Sequence, residues 1–87
     1  MKASIKSEEM YMKLIIYCEN LDLKKIEKIA ISHFPLTNDT LNIYIVKSSD
    51  SEIMYVIEQH LNALPPHTIG ERFDSIMKEL NINKCSC

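Results

Sequence analysis

The sequence predicts a small two-layer α/β (α+β) domain with the element order β-α-β-α-α and a candidate extra strand at the N-terminus. Three observations carry that expectation. Two runs rich in β-branched and aromatic residues, 11–18 and 41–46, read as strands. An apolar stripe at helical spacing lies between them. After the second run come two S/T-x-x-E sequences, Ser49-Asp50-Ser51-Glu52 and Thr68-Ile69-Gly70-Glu71, either side of Leu64-Pro65-Pro66-His67. Each fits a capping box, in which the hydroxyl accepts from the backbone N–H three residues on and the Glu reaches back.

The N-terminal residues 1–9 are polar and mixed in charge, which suits a frayed terminus. Ser4-Ile5-Lys6 is nonetheless a candidate edge strand, hairpinned onto the next through Ser7-Glu8-Glu9. Tyr11-Met12-Lys13-Leu14-Ile15-Ile16-Tyr17-Cys18 is the first firm strand. Its centre is apolar without interruption, the mark of a strand covered on both faces. Asn20 or Asp22 then caps a helix from Leu23 to His33, whose stripe is Leu23, Ile26, Ile29, Ala30 and Phe34. Pro35 ends it by disfavouring the α conformation in Phe34. A loop, Leu36–Thr40, leads to the second strand, with Leu41, Ile43 and Ile45 on one side and Asn42, Tyr44 and Val46 on the other. The helical crossover makes a right-handed parallel βαβ unit the expected topology.

The two boxes then open two helices, 50–64 and 69–80. Ile53, Met54, Ile57, His60, Leu61 and Leu64 form the buried stripe of the first, and Phe73, Ile76, Met77 and Leu80 that of the second. The pair reads as an αα-corner packed on the sheet. Lys84–Cys87 is a tail. Two strands alone make a marginal sheet with open edges, so a further strand is expected from the N-terminal segment, a second copy or another protein.

The chain has 87 residues, enough for a single domain spanning 1–87, with 1–9 and 84–87 as its loose ends. A domain of this size buries roughly 60–65% of the surface of its unfolded chain, so its core is adequate but not generous. The net charge of −2 argues against a nucleic-acid partner, since phosphate neutralisation calls for a positive excess. Residues 1–33 hold six Lys against five acids, so any basic surface would come mainly from Lys13, Lys24, Lys25 and Lys28. Three cysteines, Cys18, Cys85 and Cys87, are an odd set with one inside a strand, which points to a reducing compartment. With no secretory signal and no apolar run of membrane-spanning length, a soluble cytoplasmic protein is expected. The richness in Ile, Lys and Asn suggests a low-GC bacterium or its phage.

Candidate chemistry is sparse. Cys85-Ser86-Cys87 lacks the second pair of a zinc site, and His33, His60 and His67 have no metal-ligand spacing. Cys18 precedes a helix start, but Glu19 and Asp22 beside it oppose a reactive thiolate. No P-loop, G-x-S-x-G or carboxylate dyad is present. Tyr11, Tyr17 and Tyr44 lie on strands without the surrounding pattern of an RNA-binding sheet. Gly70, the single glycine, sits in the first turn of a helix and reads as tolerated there. No catalysis, cofactor or metal is expected. The expectation is a protein-binding module, a regulator, adaptor or inhibitor, acting through a free sheet edge or an acidic helical face (Glu52, Glu58, Glu71, Asp74 and Glu79), with a homodimer as its expected assembly. The rival is a DNA-binding regulator using the 50–64/69–80 pair as a helix-turn-helix. Its reading helix would present Glu71, Arg72, Asp74, Ser75, Lys78 and Glu79, which are mixed rather than basic.

Overall fold

A computed structural model describes residues 1–34, 41–47, 49 and 52–82. The loop expected at Leu36–Thr40 and the tail with Cys85 and Cys87 lie outside the described residues, as do Asp50 and Ser51. The elements are β1 (Lys2–Ser7), β2 (Tyr11–Cys18), a single 3-10 turn (Asn20–Asp22), α1 (Leu23–His33), β3 (Leu41–Lys47), β4 (Ile53–His60) and α2 (Pro66–Glu79). The four strands form one antiparallel sheet in the order β1-β2-β4-β3. Both helices pack on one face of it, giving the two layers expected from the sequence.

The N-terminal strand exists. Ala3 and Ile5 alternate with Lys2, Ser4 and Lys6, which puts the apolar pair on the helix side. The Glu8 N–H donates to the Tyr11 carbonyl at 2.7 Å and closes the hairpin onto β2. α1 runs from Leu23 to His33 as predicted, and the Glu19 N–H donates to Asp22 Oδ2 at 3.1 Å in the turn before it.

The principal correction concerns 53–60. The segment is a central strand, β4, and not the first helix of an αα-corner. Ile53 and Ile57 are four residues apart, a spacing that shares a face in a helix and in a strand alike. Tyr55 decides between them: it is 4% exposed and points inward with Ile53, Ile57 and Gln59, a period of two. Met54 and His60, expected on the buried stripe, face the opposite side of the sheet. The β-branched and aromatic content of Ile-Met-Tyr-Val-Ile suits the strand. The expected box before it is a turn. The Glu52 N–H donates to Ser49 Oγ at 3.1 Å and the Ser49 N–H to the Glu52 carbonyl at 3.3 Å, which ties the β3–β4 connection. A capping sequence supplies the same bonds to a hairpin as to a helix end.

β4 pairs antiparallel with both β2 and β3. The last two therefore run parallel, as the crossover helix requires, but β4 separates them, so the unit is a split βαβ rather than an adjacent pair. The expected element order β-α-β-α-α becomes β-β-α-β-β-α. The helix-turn-helix alternative loses its first helix, and with it the geometry it needs.

α2 starts two residues before its expected cap, with Pro66 in the first turn, where its missing N–H costs nothing. The Thr68 and Ile69 N–H groups donate to the Pro65 carbonyl at 3.1 and 3.2 Å. Its far end is a Schellman motif. Asn81 takes φ 57°, the Asn81 N–H donates to Lys78 O at 3.1 Å and the Ile82 N–H to Met77 O at 2.9 Å. The core lies between the helices and the inner sheet face. Leu14, Ile16, Ile53 and Ile57 meet Ile26, Ala30, Phe34, Ile69, Phe73 and Ile76 there. The Phe34 and Phe73 rings stand 5.6 Å apart.

Candidate functional site

The two edges of the sheet are not alike. β1 carries Lys2 and Lys6, both exposed, on its outer face. Lysines on an edge strand discourage a further strand from pairing, because the charge must be desolvated. β3 has no charged residue from Leu41 to Val46. Tyr44, Ile45 and Val46 are 38, 47 and 39% exposed, although all three are large and apolar. Among the described residues, no strand pairs with the outer side of β3. Half of an edge strand's backbone N–H and C=O groups point away from its neighbour, available to a guest.

The helix side of this edge is hollow. α1 stands off from β3 and leaves a cleft of about 280 Å³ lined by Leu23, Glu27, Ile43, Tyr44, Ile45 and Tyr55. Burial, with the Glu27 carboxylate adding to it, pushes the Tyr55 phenol up to about 12.

The other side of β3 belongs to the face that no described helix covers. The register places Ser4, Ile15, Val56 and Tyr44 in one row, and Lys2, Tyr17, Met54 and Val46 in the next. Ile15 and Val56 are 8 and 4% exposed. A polar row, Lys6, Lys13, Glu58 and Asn42, borders this apolar block. Lys13 Nζ lies 2.8 Å from Glu8 Oε1 and 3.2 Å from Glu58 Oε2, and these two carboxylates hold its ammonium well above the usual lysine range. The Tyr44 hydroxyl donates to Glu58 Oε2 at 3.1 Å, and burial, then Glu58, raises the Tyr44 phenol.

The five acids expected to share one helical face are divided. Glu71 and Asp74 are exposed on α2. Glu79 is also on α2, paired across the helices with His33. Glu52 lies in the turn before β4, and Glu58 is on the uncovered sheet face, across the sheet from α2. Dividing them follows directly from the strand at 53–60. Tyr11, Tyr17 and Tyr44 do fall on one face, but Tyr11 is spent on an edge-on contact with His60, centroids 5.0 Å apart. Lys24, Lys25 and Lys28 are exposed on α1. Cys18 is 6% exposed, and burial, then Asp22, pushes its thiol up, away from nucleophilic reactivity. Among the described residues no three His, Cys, Asp or Glu side chains stand together as metal ligands. No described helix is long and apolar enough to cross a membrane.

The edge residues themselves, Tyr44, Ile45 and Val46, were not singled out by the sequence. Tyr44, Ile45 and Val46 make the run apolar on both sides, but only the strand's position at the fringe of the sheet shows that they are exposed. No protein-family model matches the chain, and neither the curated proteins nor the solved structures contain a significant match.

Proposed function

We propose that the domain is a protein-binding module that accepts an extended segment of its partner along β3. The observation that carries this reading is the edge strand, without charge from Leu41 to Val46, with Tyr44, Ile45 and Val46 exposed next to the α1–β3 cleft. In strand addition the guest's main chain continues the sheet, and every second guest side chain falls on the helix side. Here that side offers Leu23, Ile43, Ile45 and Tyr55, so the guest is expected to alternate apolar residues toward the cleft. The role is that of a small regulator, adaptor or inhibitor, and the odd cysteine count with Cys18 buried as a free thiol suits the cytoplasm. The edge is favoured over the acidic face because the five acids are divided between two sides of the sheet.

Selection of random peptides on the immobilised protein tests the reading. Recovered peptides should be extended, alternate apolar residues, and lose binding to Ile45→Lys while that variant keeps its circular dichroism spectrum. Peptides that bind the variant equally well, or no enrichment at all, would refute it.

A further inference from the structure

We infer that the occupant of the β3 edge in the free protein is a second copy of the chain, paired antiparallel with its Tyr44 residues opposite one another. The inference rests on β3 being a strand acceptor and names what it accepts. A two-fold axis normal to the sheet brings an edge strand against itself, with facing residues whose numbers have a constant sum and whose side chains share a face. Charge decides which edge tolerates this.

For β1 the two longest such registers are both unfavourable. In one, Lys2 faces Lys6 of the second copy twice over. In the other, the two Lys6 side chains stand diagonally across the join. Like charges in these relations oppose pairing. For β3 the register centred on Tyr44 uses the whole strand and sets no charge against a charge. Ile43 faces Ile45 on the helix side. Asn42 faces Val46 on the other, and Lys47 faces Leu41. Ile45, the most exposed of the three edge residues, comes to lie beside Ile43 at the mouth of the other copy's cleft. The join makes a closed pair with one sheet of eight strands, since each copy contributes the four in its own. Pairing β3 to β1 instead would meet the lysines and would not close.

Sedimentation equilibrium of the full chain tests the register. The native protein should be a dimer. Tyr44→Lys and Tyr44→Glu each place like charges opposite themselves and should weaken it by about tenfold, and an equal mixture of the two should recover association. Val46→Lys with Asn42→Glu in the same chain should associate more tightly than Asn42→Lys with Val46→Lys, although Glu58 opposite position 42 favours the lysine within each chain, and both variants keep Tyr44. Lys6→Glu should leave the dimer unchanged. A native protein that stays monomeric, or a dimer indifferent to these changes in variants that keep their fold, overturns self-pairing. If a selected peptide still binds β3 in that event, the strand-acceptor reading stands and only the occupant is wrong. If nothing binds there, both fall.

Discussion

Arg72 of α2 donates from Nη1 to the carbonyl of His33 at 3.2 Å, the last residue of α1. The same guanidinium lies over the Phe34 ring, with Cζ 5.4 Å from its centroid. Helix C-termini leave carbonyls unpaired and attract cations, so one side chain both caps α1 and holds α2 against it. The contact of His33 Nε2 with the Glu79 carboxylate lies in the same corner.

Arg72→Met keeps the apolar stem and removes the hydrogen bond and the ring contact. It should lower stability by about 1–2 kcal/mol, read as a lower urea midpoint at unchanged slope. A midpoint equal to that of the native protein would mean that the two contacts contribute nothing.

β4 is most sharply tested by two adjacent residues. In the strand Tyr55 faces the core and Met54 the uncovered side; in a helix with Ile53, Met54 and Ile57 on its stripe the assignments reverse. Tyr55→Ala should cost about 3 kcal/mol and Met54→Ala about 1 kcal/mol in chemical denaturation. The opposite order would restore the helix.

That pair also shows how far the sequence could be read. α1 and the apolar stripe of α2 were legible because Leu23, Ile26 and Ile29, and Phe73 and Ile76, recur three apart, with Ala30 and Met77 four beyond Ile26 and Phe73, a mixture that fits a helix and not a strand. At 53–60 the spacing of Ile53 and Ile57 served two periods, and Leu61 and Leu64 extended the helical one beyond the strand's end. What settles the matter is tertiary: β2 and β3 each offer an edge that β4 fills. The incomplete sheet was itself a legible sign that strands were missing, and β1 answered it from the N-terminal side. The acidic face was an inference from the helix pair: Glu71, Asp74 and Glu79 stay together on α2, while Glu52 and Glu58 left it with the helix at 50–64. A free sheet edge was expected from the shortage of strands, but which strand bears it and the cleft beside it depend on where β4 pairs and where α1 comes to rest.

Two backbone positions in and after α2 give independent tests of that helix. A Cβ at Gly70 would meet no atom within 4 Å, so Gly70→Ala should stabilise by about 0.5–1 kcal/mol through helix propensity alone. Asn81 at φ 57° occupies the left-handed cap, where Asn81→Val should cost about 1–2 kcal/mol and Asn81→Gly should be neutral or better. Thermal unfolding of the three variants checks both. Destabilisation by Gly70→Ala would reveal a close approach at that turn.

The buried Tyr55 phenol predicts an alkaline limit. Its proton is held to about 12 in the fold, whereas the unfolded chain releases it near 10. Between those values the unfolded state binds fewer protons, so this contribution is intact below about 10 and is lost as pH rises toward about 12. Urea midpoints measured from pH 9 to 12 should fall more steeply for the native protein than for Tyr55→Phe. Parallel curves would show that the phenol ionises as freely in the fold as outside it.

Amide hydrogen exchange along the sheet tests the central claim, that β3 is the strand-accepting edge. As the protein is concentrated, or as a selected peptide is added, alternate amides of Leu41–Lys47 should slow while those of β1 keep their rates. Protection that appears on β1 or on α2, with β3 unchanged, would contradict the account.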